Sequence, residues 1–299
     1  MKLSDLTKNG IEIKRQVPLS KYTFTKTGGP AEFLAFPRNE SELKNLVIAA
    51  HDNNIPLTII GNASNLIIRD GGISGIVLIL TKMNQIKVDK NKVIAQAGAT
   101  IVETAFTAAH HSLSGLEFAA GIPGSVGGAV FMNAGAYGGE TCNVIESVRV
   151  MTRSGNFKNY SQSEMKFSYR HSLVQENGDI VLEAVFALKR SAKNRILADM
   201  NYLNALRQYK QPLEYPSCGS VFKRPTGHYV GPMIIQAGLQ GKQIGGAQDS
   251  TKHAGFIVNK GNATATDYLD LIHLIQEKIK TKFGLDLHTE VRIIGKPND

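Results

Sequence analysis

The sequence predicts an α+β chain of two or three domains, and three observations predict it. Short apolar runs of strand length alternate with segments whose apolar residues repeat at helical spacing. The 299 residues reach the size at which one core stops growing, roughly 250–300 residues. The stretch "AGIPGSVGGAVFMNAGAYGGE", residues 120–140, is so punctuated by glycine that it reads as neither an ordinary helix nor an ordinary strand, since glycine weakens the interior of both.

After Pro37, "RNESELKNLVIAAHDNN" sets Leu43, Leu46, Val47 and Ala50 on one face behind a capping Asn39 or Ser41, which predicts a helix. "IPLTII" reads as a buried strand stopped by "GNASN", and "GIVLIL" and "KVIAQAG" as two more. "TIVETAFTAAHHS" reads as a helix opened by a Thr100–Glu103 capping box, with His110 and His111 closing it where cations suit the dipole. "SVRVMTRSGNFKNY" predicts a hairpin turning at Ser154-Gly155, "DIVLEAVFALKR" a strand, and "ILADMNYLNALRQYKQP" a helix ended by Pro212. The last hundred residues predict a helix near "PMIIQAG", a strand "GFIVN", a helix "TDYLDLIHLIQEKIKTKFG" and a final strand "HTEVRIIG". Composition changes near residues 80–90 and 195–215 mark candidate domain boundaries.

Two cysteines, Cys142 and Cys218, supply neither a disulfide framework nor a metal-ligand cluster, and no His/Cys/Asp spacing suggests a metal. The N-terminus has no apolar core of signal-peptide length, and no apolar run reaches the roughly 18 residues of a membrane span. A soluble cytoplasmic protein is expected. The formal net charge of +9 suits a polyanion. Lys and Arg are scattered rather than clustered, so small nucleotides or diphosphates account for it as well as nucleic acid does.

The glycine stretch carries no charge between Ala120 and Gly139, unlike most surface loops. That favours a chain path approaching a bulky ligand closely, with N–H groups forming an anion-binding nest. "GIPGSVGG" is not a P-loop, and no dinucleotide fingerprint stands between a strand and a helix. "TIIGNASNLIIRDGG" supplies a second uncharged, donor-rich turn at Gly61, Asn62, Ser64 and Asn65. Two such turns suggest a pyrophosphate held mainly by backbone N–H groups.

"YTFTKTGGPAEFLAFP", "GNASNLIIRDGGISGIV", "GLEFAAGIPGSVGGAVFMNAGAYGGE", "YRHS", "CGSVFKRP", "GLQGKQIGGAQDSTKHAGFIVN" and "HTEVRIIG" occur in this order from about Tyr22 to Gly295. Together they resemble the UDP-N-acetylenolpyruvoylglucosamine reductase family, flavoenzymes of peptidoglycan precursor synthesis. The resemblance implies a two-subdomain FAD-binding fold of the vanillyl alcohol oxidase type plus a C-terminal α/β substrate-binding domain. The corresponding divisions are 1–82, 83–198 and 199–299, with the final strand able to pack back on the FAD domain. It implies noncovalent FAD at Gly61, Asn62, Ala63, Ser64, Asn65 and Leu66 and at Gly121, Ile122, Pro123, Gly124, Ser125, Gly127, Gly128 and Ala129. NADPH is the implied hydride donor. The implied reaction reduces an enolpyruvyl ether to a lactyl ether, with hydride delivered through FAD to C3 and a proton to C2.

Within that resemblance Arg170 of "YRHS" suits a carboxylate that gains charge, because guanidinium binds it bidentately and stays protonated; by itself it reads more readily as a structural arginine. Ser220 of "CGSVFKRP" is the implied proton donor, although an isolated Gly-Ser pair is more often a turn. The implied helper of the intermediate is Glu290 of "HTEVRIIG". Tyr137, Lys223, Arg224 and His253 are candidate contacts to the UDP-sugar, and Asn133 to flavin or substrate. Only about fifty residues separate Arg170 from Ser220, so the chain resembles the shorter form of the family, without a tyrosine-bearing substrate loop. A monomer is expected, with no nucleic-acid or membrane partner. A different FAD-linked oxidase would keep the glycine turns but need not keep "YRHS", "CGSVFKRP" and "HTEVRIIG" together. A non-catalytic polyanion binder would call for clustered basic residues and aromatic stacking positions, and Trp is absent.

Overall fold

The computed structural model describes residues 11–298, which divide into two compact units. The first holds the described residues up to Arg15, Phe33–Asn62 and Gly75–Arg207; the second holds Gln16–Glu32, Ala63–Ser74 and the chain from Gln208 onward. The division expected at 82/83 therefore falls inside the first unit, and the short segments 16–32 and 63–74 belong with the C-terminal residues. Composition shifts report local pattern, whereas the units follow from pairings between residues far apart in sequence.

In the first unit five antiparallel strands run in the order Phe157–Ser161, Ile145–Met151, Ile180–Ala187, Lys92–Gln96 and Ile86–Asp89. The Ser154-Gly155 hairpin forms as expected, with Met151 opposite Phe157 and Gly155 at φ +82°. The helix Glu40–Asp52 is capped by Asn39, whose side chain accepts the Glu42 N–H at 2.9 Å, and it buries Leu43, Leu46, Val47, Ala49 and Ala50. Next to it in sequence, Leu57–Ile60 pairs in parallel with Ile73–Ile79, Leu57 opposite Ile76. Thr100 caps the helix Ile101–His110 by accepting the Glu103 N–H at 3.0 Å.

The glycine stretch departs from the expectation that it is no helix, since Val126–Met132 is helical. Ser125 caps it, its Oγ accepting the Gly128 N–H at 3.2 Å. Gly127 has to be small, because a Cβ there would sit 3.0 Å from Ala97 Cβ. Packing against the core has outweighed the cost of glycine in a helix, about 1 kcal/mol per residue.

In the second unit the strands run in the order Ser217–Ser220, Phe256–Asn259, Ala247–Asp249 and Gln243–Ile244. The helix Ala265–Phe283 buries Tyr268, Leu269, Leu271, Ile272, Ile275 and Ile279, opens on a Thr264–Asp267 capping box and ends at Gly284 with φ +71°. Arg292–Ile294 pairs in parallel with Leu66–Ile68, so the final strand does return to the early part of the chain. Asp70 then reaches the start of that helix, where its carboxylate accepts the N–H groups of Ala265 and Thr266 at 2.9 and 2.8 Å and the Thr266 hydroxyl at 2.7 Å. An anion at a helix N-terminus is favoured by the unpaired N–H groups and the dipole. Among the described residues no helix is long and apolar enough to cross a membrane.

Asp70→Ala is expected to lower the unfolding free energy by about 1–2 kcal/mol and the melting temperature by several degrees, read by thermal denaturation. Unchanged melting would show that the Thr264–Asp267 box caps the helix unaided.

Candidate functional site

In the first unit two uncharged turns meet. Asn62 Nδ2 donates to Pro123 O at 2.8 Å, and a Cβ on Gly61 would lie 2.2 Å from Ser125 Oγ. Glycine at 61 is thus required by the neighbouring turn. The N–H groups of Val126 and Gly127 donate to Ala99 O and Ala97 O, both at 2.8 Å. Those of Gly128 and Ala129 go to Ser125. The start of this helix has therefore used these four donors internally, and its glycines serve close packing more than an outward nest. Gly121 is hemmed in as well: its Cβ would meet Asn204 Oδ1 at 2.5 Å. Gly124 O accepts the Ile101 N–H at 3.0 Å.

The turn at 61–65 is different. Among the described residues the N–H groups of Asn62, Ala63 and Ser64 donate no hydrogen bond, and Ala63 holds φ +50°. A run of backbone donors left unpaired in a turn is the chemistry that receives a diphosphate. The donor set fits the diphosphate of FAD; Leu66 already belongs to the strand that follows.

Tyr137 and Gly138 form the tip of a two-residue hairpin in which Ala136 faces Gly139. Both have positive φ, +52° and +86°, as a type I′ turn needs. Beneath this tip lies a cavity of about 690 Å³ whose lining includes Glu117, Phe118, Tyr137, Arg195, Asp199 and Tyr202. Arg170, half-buried at φ +56°, sits in the tight turn 168–171, its Nη2 donating to Gly135 O at 3.2 Å and its guanidinium 5.1 Å from the Tyr169 ring. The 168–171 turn and the 135–140 hairpin are tied by Asn133. This left-handed C-cap residue donates through Nδ2 to Glu140 and to Ser168 O and accepts the Cys142 N–H. Asn133 is buried and structurally engaged at the junction of these turns.

In the second unit Ser220 ends its strand after a bulge at Gly219, φ +76°, and is exposed. Bulges re-aim the side chain that follows. The chain then runs antiparallel to 288–291: Lys223 N–H donates to His288 O at 2.8 Å and Glu290 N–H to Val221 O at 2.7 Å. Asn65 Nδ2 holds Glu290 O at 3.2 Å. Ser220 and Glu290 are thereby brought to neighbouring backbone positions. Arg224 stacks over Tyr229 at 3.7 Å and donates to His228 O. His253 lies against Phe256, ring centroids 4.4 Å apart, and burial lowers its pKa, which favours the neutral ring. Among the described residues no three His, Cys, Asp or Glu side chains are grouped to hold a metal.

Two residues escape sequence reasoning. Arg207 is buried, donates to Gly121 O and lies 5.7 Å from the Tyr137 ring, while among the described residues its Nε has no acceptor. Asp249 is a wholly buried carboxyl. Neither stands in a recognisable local pattern; their burial is decided by distant neighbours. Asn133 did carry a signal, since Asn is a common left-handed helix terminator.

Gly61→Ala is expected to push Ser125 Oγ off its cap and cost about 1–3 kcal/mol of stability. Ser125→Gly, added to it, should recover part of that loss by making room. A Gly61→Ala protein that melts like the original would contradict the close approach.

A family model described as "FAD binding domain" matches residues 31–161, and one described as "UDP-N-acetylenolpyruvoylglucosamine reductase, C-terminal domain" matches residues 211–294. The UDP-N-acetylenolpyruvoylglucosamine reductase of Lactobacillus helveticus is 74% identical over 296 residues, 99% of each chain. That of Latilactobacillus sakei is 62% identical over 289 residues, 97% of this chain and 95% of the other. The crystal structure of UDP-N-acetylenolpyruvylglucosamine reductase from Thermus caldophilus is similar with a TM-score of 0.83 at 34% identity, over 95% of this chain and 99% of that one. Two turns built from uncharged backbone, a bulge that exposes a serine beside a glutamate, and full-length likeness at this level lead to one assignment: the chain belongs to the UDP-N-acetylenolpyruvoylglucosamine reductase family and is an FAD-dependent oxidoreductase.

Proposed function

We propose that the protein reduces the enolpyruvyl ether of UDP-N-acetylglucosamine enolpyruvate to the lactyl ether of UDP-N-acetylmuramate, with NADPH as the source of hydride. The observation that supports this reading is the backbone pairing of 221–223 with 288–291, which brings the exposed Ser220 and Glu290 to neighbouring backbone positions. FAD, when bound, supplies the two-electron chemistry between NADPH and C3 of the substrate. The turn Gly61–Leu66 and the stretch Gly121–Ala129 are the segments assigned to it, the first through its unpaired N–H groups and the second through close, uncharged packing.

The protein's own residues handle charge and protons. Hydride addition at C3 leaves negative charge on C2 and the adjoining carboxylate, so the site must stabilise an enediolate-like species. Arg170 is assigned to that carboxylate, because a guanidinium offers two parallel donors and does not lose its proton. Glu290 assists the same species. Ser220 donates the proton to C2; a serine hydroxyl does so only toward a strongly basic carbon, which the intermediate provides. Its conjugate alkoxide is reprotonated from solvent, to which Ser220 is open. Tyr137, Lys223, Arg224 and His253 are assigned to the UDP-sugar. Of these, Arg224 already rests on the Tyr229 ring and His253 on Phe256, so their polar atoms meet the ligand from side chains already held in place. Between Arg170 and Ser220 the chain spends its residues on Leu173–Asn177, Ile180–Ala187 and Lys193–Lys210, consistent with the shorter form of the family.

Stopped-flow measurement of the two half-reactions separately tests the roles. Ser220→Ala is expected to slow reoxidation of the reduced flavin by the enolpyruvyl sugar by about 10²–10⁴-fold, while reduction by NADPH stays within about twofold. If both half-reactions keep their rates, Ser220 is not the proton donor.

A further inference from the structure

The loop next to Ser220 hangs on a carboxyl group that no charge partners. Asp249 is wholly buried. Its Oδ2 accepts the N–H of Gly255 at 2.9 Å, and among the described residues its Oδ1 meets no donor. Gly255, at φ +95°, accepts the Val221 N–H on its carbonyl at 2.9 Å, and Val221 O accepts the Glu290 N–H at 2.7 Å. Phe256, the next residue, pairs with Ser220. One carboxyl group therefore anchors the residue from which the proton-donor segment is hung.

The side chains around it are otherwise engaged. Lys252 donates to Gln208 O at 2.8 Å, and His253 Nδ1 faces Ala254 O at 3.2 Å. On the helix packed against this strand, Asp267 accepts the N–H groups of Gly246 and Thr264 at 3.1 and 2.9 Å, and Tyr268 is buried. The strand Ser217–Ser220 contributes Cys218, whose thiol burial pushes up to about 12. Lys242 meets Asp249 through its backbone carbonyl, and the helix Val230–Gln236 carries no titratable side chain. Among the described residues none of these forms an ion pair or hydrogen bond with the Asp249 carboxyl group. Burial without a counter-charge favours the protonated form, and here it pushes the carboxyl up to about 7, against the smaller opposite pull of the Gly255 N–H.

We propose that Asp249 is a positioning residue for the reaction: as a neutral acid it fixes Gly255 and, through it, the backbone beside Ser220 and Glu290, whereas its ionisation, although it strengthens the single bond from Gly255, leaves an uncompensated charge in a dry site and drives that segment to open to water. The inference rests on the role assigned to Ser220. A carboxyl whose folded pKa is raised binds its proton more tightly in the folded state. Its stabilisation is present at low pH and is lost as pH rises from about 4, its unfolded value, through about 7. Loss of this anchor lowers the rate of C2 protonation without touching the acceptance of hydride from NADPH.

The test uses the flavin-loaded full-length enzyme with two readouts from pH 5 to 8.5: the melting temperature, and the rate at which the enolpyruvyl sugar reoxidises reduced flavin. Asp249→Asn keeps an acceptor for Gly255 but cannot ionise. It is expected to remove the decline in melting temperature between pH 5 and about 7 and the falling limb of the rate near pH 7, and to retain the low-pH rate within about threefold. Asp249→Leu, which lacks the acceptor, is expected to slow reoxidation about tenfold at low pH, the worth of one lost hydrogen bond, the deficit shrinking above pH 7, with reduction by NADPH within twofold. An Asp249→Asn enzyme that keeps the limb in the rate profile overturns the inference, whether or not its melting profile changes. Ser220→Ala is run beside it. If that variant reoxidises at the original rate, the reading of Ser220 itself fails and takes the inference with it; if it is slow and Asp249→Asn is unaltered, the inference alone fails.

Discussion

Residue 61 cannot carry a side chain, because the turn that contains it lies against the capping serine of another turn more than sixty positions away. That close approach organises the first unit. It brings Asn62 to the carbonyl of Pro123, seats the helix Val126–Met132 on Ala97 and leaves Gly121 to be gripped by Arg207 and Asn204. A surface assembled this way is made of backbone rather than charge. It suits a cofactor whose diphosphate is bound by N–H groups and whose ring system needs an apolar, tightly bounded neighbour. The net charge of +9 then acts at long range, raising the local concentration of anionic ligands, and holds neither turn in place.

The second unit holds the exposed Ser220, for which the proton-donor role is proposed. Ser220 is exposed and flanked by glycine, so its own strand gives it little support. Support comes from outside the strand. The segment 288–291 lies alongside, the Gly255 carbonyl takes the next N–H, and the following strand, Arg292–Ile294, is pinned in parallel to Leu66–Ile68. Asp70, two residues past that pair, caps the long helix at its other end. Local order here is borrowed from long-range pairing, and it concentrates on the residues to which proton transfer is assigned.

Much of this was legible in the sequence, for identifiable reasons. The helices Glu40–Asp52, Ile101–His110 and Ala265–Phe283 announce themselves by apolar spacing and by a cap, and the hairpin at Gly155 by its turn residues. The strands Ile13–Pro18 and Pro30–Ala35 do not, since the first is mostly exposed or half-buried and the second opens on a proline. The helix in the glycine stretch was hidden because composition argues against it and only packing argues for it. The roles proposed for Arg170, Ser220 and Glu290 rest on a resemblance spread over most of the chain. Arg207 and Asp249 were not legible in the sequence, because a buried guanidinium or carboxyl is defined by what surrounds it, which no local pattern encodes.

The most direct test of the account is an anaerobic visible spectrum of the purified protein, followed through addition of NADPH and then of UDP-N-acetylglucosamine enolpyruvate. The account predicts a bound-flavin absorption that bleaches with NADPH and returns only when the enolpyruvyl sugar is added. A flavin that bleaches but regains its colour only with oxygen would contradict the reductase reading while leaving the cofactor site standing. A protein that neither carries nor takes up FAD would contradict the reading of the two turns themselves.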